Sequence, residues 1–179
     1  MLSFFKNLLD HKSRGITFKS SFHLGWISSV KDQGNCGSCV AFATVGAIEA
    51  TLIKVGADPD SLNLSEQWLL DCSPYGGGCA GSGDNAYSKW IPTRGVLMHE
   101  DDYPYTATAD KDICAFSASR PDLQYWSPGY KIDNSIWKWK CTDEEIMMQM
   151  MQYGSVMMTV MVENGFGNYK SGVFDGCTR

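Results

Sequence analysis

The chain has 179 residues, 44% of them hydrophobic and 20% charged, which suffices to bury one core or two small lobes. Its formal net charge of -5 argues against nucleic acid or an anionic membrane surface as the main partner, and no apolar run approaches the roughly 20 residues of a membrane-spanning helix. Seven cysteines fit a disulfide-permitting compartment, lysosomal or extracellular, and their odd number leaves at least one thiol free.

In the opening run "MLSFFKNLLDHKSRG", Lys6 interrupts the apolar patch and no small-residue cleavage site follows. The run therefore reads as a short amphipathic helix, not a signal peptide. The stretch "VKDQGNCGSCVAFATVGAIEA", Val30 to Ala50, then sets two cysteines three apart. From Cys39 the small and apolar run "CVAFATVGAIEATLIKV" predicts a helix buried on most sides and stopped at Gly56. "NLSEQWLLDC" predicts a second, short helix with Ser65 or Asn63 as its N-cap. Its "NLS" is also a glycosylation sequon, a three-residue match of low specificity.

A glycine-rich loop, "SPYGGGCAGSGD" from Ser73 to Asp84, leads into a helix around "NAYSKWI" that ends at Pro92 to Gly95. The stretch "EDDYPYTATADKDIC" reads as irregular and polar, with "HEDD" a solvated turn. "IWKWK" alternates Trp137 and Trp139 with lysines, as an edge strand does. In "TDEEIMMQMMQYG", Thr142 and Glu145 form a capping box, and Ile146, Met147, Met150 and Met151 follow at helical spacing. Val156 to Val162 reads as an inner strand, and "YKSGVF" as the next strand or a turn. Seven of the nine methionines fall between 147 and 161, which a helix and strand sharing one core explain more simply than a thioether metal site. Helices first and β-structure later predict an α+β protein.

The pair Cys36 and Cys39 admits several readings. A redox pair needs a preceding βαβ pattern, and none is evident. A zinc site needs two further close ligands, whereas Cys72 and Cys79 stand seven apart. Two small buried thiols at a helix start remain open. So does a nucleophile: Cys39 at a helix N-terminus meets the positive end of the macrodipole and free backbone N–H groups, which favour a thiolate. Gln33, six residues earlier, is placed to aim its amide at a developing oxyanion, with the Cys39 N–H as the second donor.

"QGNCGSCVAF" closely resembles the active-site segment of the papain-like cysteine peptidases. "LSEQWLLDC", "GGCAGSGDNAY", "GVLMHEDDYPY" and "YGSVMMTVMVENGFGNYKSGVF" continue the resemblance in order, over about residues 25 to 177. It implies a two-lobed fold, with a complete helical lobe over about 25–120 and a partial β-barrel lobe over about 121–179, preceded by an extension at 1–24 unlike the family. It also implies Cys39 as nucleophile, Gln33 as oxyanion donor, and Gly81, Ser82 and Gly83 along the backbone of a peptide or protein substrate. Disulfides Cys36–Cys79 and Cys72–Cys114 are implied as well, and no metal or cofactor.

The sequence departs from the family at several points. The family's histidine and asparagine lie about 130–150 residues after the cysteine, a window opening at about residue 169. His11, His23 and His99 all precede it, and none occupies a family role. The implied general base and its orienting asparagine then come from a segment or light chain not present here, the latter held through Cys177. The alternative is a truncated, catalytically incomplete homologue with a binding or structural role. Val40 stands where the family has an aromatic residue, Ser82 replaces a glycine, and Cys141 has no family counterpart.

Overall fold

The structure, a computed structural model, describes residues 25–83, 86–87, 90–91, 97–112, 114, 125–126 and 142–157. The readings at His11, His23, Trp137, Trp139, Cys141 and Cys177 lie outside these residues, as does most of the strand expected at 156–162. Along the described chain, helix α1 (Cys39–Lys54) is followed by α2 (Glu66–Cys72), a 3-10 turn (Gly78–Ala80), β1 (Leu97–Met98), β2 (Tyr125–Trp126) and α3 (Asp143–Tyr153). The two short strands pair antiparallel, Leu97 opposite Trp126 and Met98 opposite Tyr125.

α1 ends where the sequence predicts, with Val55 as C-cap and Gly56 at φ +113°, a backbone angle that favours glycine. Its burial is narrower than expected. Ala41, Val45, Glu49, Leu52 and Ile53 form one buried stripe at helical spacing, while Cys39, Ala43 and Gly46 are exposed. The stripe packs on Trp68 and Leu69 of α2 and on Leu62, Leu64, Tyr87, Trp90, Ile91, Met98 and Tyr103. Trp68 and Trp90 meet with ring centroids 4.6 Å apart at the centre of this core. Val40, in the place of the family's aromatic, packs against the core's edge.

Ser65, one of the two N-caps considered, caps α2 by accepting the Trp68 N–H at 3.0 Å. Its own hydroxyl donates to the Tyr103 carbonyl, tying the helix start to the loop after β1. On the far side of α2, the Asp71 carboxylate accepts from the Gln67 amide, the Tyr103 hydroxyl at 3.0 Å and the Asp110 N–H at 2.8 Å. Gln67 also accepts from the Thr106 N–H and donates to the Thr108 carbonyl. These bonds hold 103–110 against the helical core, so the stretch read as merely irregular and polar is anchored at both ends.

Thr142 and Glu145 form the expected capping box at the start of α3. Met148, Met150 and Met151 are 38%, 43% and 46% exposed and Met147 and Met157 half-buried; most of the strand expected to share a core with them lies outside the described residues. Polar bonds join the α3 end to α1, where Lys54 donates to the Met151 carbonyl at 2.8 Å and Ser155 to the Ala47 carbonyl at 2.6 Å.

Candidate active site

Cys39 is an exposed, free cysteine and the first residue of α1. The chain reaches it through a tight loop stapled by the Cys36–Cys79 disulfide, whose Cα atoms are 4.6 Å apart. Beside that bond the Gly37 N–H donates to the Cys79 carbonyl at 3.0 Å. A Cβ on Gly37 would lie 2.7 Å from the Cys79 oxygen and 3.1 Å from the Gly81 nitrogen, so only glycine lets the two segments touch. The loop carrying Gly81 is thereby set against the loop that leads into Cys39. Cys72 and Cys114 form the second disulfide, with Cα atoms 5.0 Å apart.

Gln33 lies at the start of the same loop, half-buried, with its Nε2 donating to the Cys36 carbonyl at 2.9 Å. A carboxamide nitrogen carries two N–H bonds. One therefore fixes the side chain on the loop, and the second has no acceptor among the described residues. Among the described residues no hydrogen bond links Gln33 to Cys39 directly. The turn between them is shaped by Gly34, at φ +58°, whose N–H donates to Asp32.

The glycine-rich segment turns through Gly81 at φ +100°. Ser82 does not project over it. Its hydroxyl accepts the Gly77 N–H at 3.2 Å and lies 3.1 Å from the Tyr87 hydroxyl, which ties the serine inward where the family has glycine. Burial raises the Tyr87 phenol above its ordinary value; the Ser82 bond opposes this, and negative charge on Cys39 and Asp71 adds to it. Gly83 is exposed, with its carbonyl accepting the Ala86 N–H.

Two residues that sequence reasoning passed over complete the loop. The Tyr105 hydroxyl donates to the Gln33 carbonyl at 2.8 Å and lies 2.6 Å from the hydroxyl of buried Ser38. Its ring meets Phe42 of α1 edge-on, with centroids 4.9 Å apart. The signal in the sequence was the "YPY" triplet, two aromatics inside a polar run. His99, by contrast, bridges to Leu64 through its backbone and lies 3.9 Å from the Asp101 carboxylate; among the described residues nothing bonds it to Cys39. The described residues contain no group of three or more potential metal ligands.

An exposed free cysteine thus opens α1, with Gln33 bonded to the loop before it and a disulfide-linked glycine loop alongside. A family model described as papain family cysteine protease matches residues 19–179. The chain belongs to that family, whose members are thiol-dependent hydrolases. It is 35% identical over 152 residues to the oryzain gamma chain of Oryza sativa subsp. japonica, covering 84% of this chain and 39% of that protein. It is 32% identical over 165 residues to gamete and mating-type specific protein A of Dictyostelium discoideum, covering 89% of this chain and 34% of that protein. The chain thus spans little more than a third of these curated relatives. Among solved structures, the digestive procathepsin L2 proteinase from Tenebrio molitor larval midgut is 30% identical with a TM-score of 0.48, covering 55% of this chain and 34% of that one.

Proposed function

We propose that this chain forms the nucleophile-bearing part of a two-lobed papain-type peptidase, acting as an endopeptidase on peptide or protein substrates. Residues 1–24 are an extension, the helical lobe covers about 25–120, and part of the β lobe covers about 121–179. Cys39 Sγ attacks the scissile carbonyl carbon, and the Cys39 N–H with the free N–H of Gln33 holds the resulting oxyanion. Collapse of that intermediate breaks the C–N bond and leaves a thioester on Cys39, which water then hydrolyses. The thiol proton passes to a histidine and from it to the leaving amine. That histidine, with an asparagine to orient it, comes from a segment or second chain outside these 179 residues, a second chain being held through Cys177. Gly81, Ser82 and Gly83 pair with the extended substrate backbone. No metal or cofactor enters the reaction. The two disulfides suit a lysosomal or extracellular setting, and no helix among the described residues is long and apolar enough to cross a membrane.

The observation that carries this reading is the exposed free thiol at the first position of α1, where no side chain caps the helix. The test is the intact mass of the natively purified protein before and after reduction, followed by labelling with an epoxysuccinyl probe. A mass above that of the 179-residue chain, either contiguous or released by reduction as a histidine-containing chain, is expected. One equivalent of probe should then attach at Cys39, and Cys39→Ala should abolish both labelling and hydrolysis. If the chain occurs alone and Cys39 takes no probe, it lacks a general acid–base worth about 10²–10⁴-fold. It is then a catalytically incomplete homologue with a binding or structural role.

A further inference from the structure

Ser38 occupies the N-cap of α1, yet its side chain caps nothing. An N-cap serine ordinarily turns its oxygen onto the N–H groups of the first helical turn. Here the Ser38 carbonyl takes the Ala41 and Phe42 amides, at 2.8 and 3.1 Å, while the hydroxyl faces Tyr105. The Tyr105 hydroxyl has a single proton, and it is committed to the Gln33 carbonyl. Ser38 must therefore be the donor in the 2.6 Å contact, which gives a directed chain from Ser38 through Tyr105 to Gln33. The Cys36 carbonyl, 3.4 Å from the Ser38 hydroxyl, competes for the same single proton, and Tyr105, at the shorter distance, is the better acceptor.

We propose that Tyr105 is a positioning residue that draws the Ser38 hydroxyl away from the α1 amides and fixes Gln33 to the same anchor. This inference rests on the reading of Cys39 as nucleophile. Two consequences follow from the one phenol oxygen. The Cys39 and Val40 amides, the two first-turn N–H groups without an acceptor among the described residues, stay free to face negative charge on the thiolate and on the oxyanion. The nucleophile and its oxyanion donor, six residues apart in sequence, share one rigid support, because Tyr105 bridges the residue before Cys39 to Gln33 itself. Tyr105 is held in turn by Phe42 against its ring and by Glu100, which accepts the Tyr105 N–H at 2.7 Å.

The experiment compares the rate of Cys39 alkylation by iodoacetamide at neutral pH in the parent protein, Tyr105→Phe, Ser38→Ala and the double variant, with melting followed in parallel. Tyr105→Phe frees the Ser38 hydroxyl to cap α1, and the alkylation rate should fall about two- to five-fold. Adding Ser38→Ala removes the competing hydroxyl and should restore the rate, which a merely structural role for Tyr105 would not do. Ser38→Ala alone should leave the rate at the parental value, and a slower rate there overturns the inference even if Tyr105→Phe does not fold. A slower rate in Ser38→Ala, or no rescue in the double variant, overturns the inference while leaving the nucleophile reading in place. A parent Cys39 no faster than free cysteine overturns that reading first, and the inference with it.

Discussion

Gly37 stands between the two cysteines of the active-site loop because nothing larger fits there. Its φ is not in the left-handed region, so the constraint is contact and not backbone conformation. A methyl group would stand 2.7 Å from the Cys79 carbonyl oxygen, which already accepts the Gly37 N–H, and would crowd the Gly81 nitrogen. Gly37→Ala should therefore cost about 1–3 kcal/mol in urea unfolding, as overpacking does elsewhere, and should slow probe labelling of Cys39. Gly46 supplies the matched control. It lies on the exposed side of α1, and a methyl group there would meet nothing within 4 Å, so Gly46→Ala should stabilise the chain by up to about 1 kcal/mol. Equal effects of the two substitutions would mean that the loop, unlike a packed contact, yields freely.

At the scale of elements, two N-caps of the same chemistry separate local from tertiary stabilisation. Ser65 is fully buried and both accepts from Trp68 and donates to Tyr103, whereas Thr142 caps α3 in an exposed position. Ser65→Ala should cost about 2 kcal/mol and Thr142→Ala about 1 kcal/mol or less, read from paired denaturation curves. These caps were legible because capping is local: Ser65, Thr142 with Glu145, and Gly56 each lie within a few residues of the groups they satisfy. The buried stripe of α1 was not. Its run of small apolar residues fits many faces, and among the described residues polar bonds to Met151 and Ser155 join another side of the helix to the end of α3. Tyr105 was equally hidden, since its partners lie 67 and 72 residues away. The family and the Cys36–Cys79 staple could be read from motifs; the contacts of Tyr105 with the loop before Cys39 could not.

Across the whole molecule, one charged cluster links folding to pH. Lys31 sits between two buried carboxylates, 3.2 Å from Glu49 and 2.8 Å from Glu66, so the cluster carries more acid than base. Glu49 is further satisfied by Ser28 and by the Leu64 N–H, whereas Glu66 Oε2 is buried with no hydrogen-bond partner among the described residues. Burial accordingly raises the Glu66 carboxyl above its ordinary value of 4.5; the bond to Lys31 and its charge oppose the rise, and the charge of Glu49 adds to it. Above the raised value the folded chain bears the cost of a buried charge that the unfolded chain keeps in water. As pH falls through that value towards 4.5 the folded chain takes up the proton first and the cost disappears; below 4.5 both states hold it and the gain is complete. This group alone thus makes the fold steadier on acidification, opposite in sign to a salt-bridged carboxylate with a depressed value. Glu66→Gln keeps the shape and removes the proton, so its urea midpoint should lose this component of the change between neutral and about pH 5. Parallel pH profiles for the parent and Glu66→Gln would show that Glu66 takes up no proton on folding, and would overturn this account of the cluster.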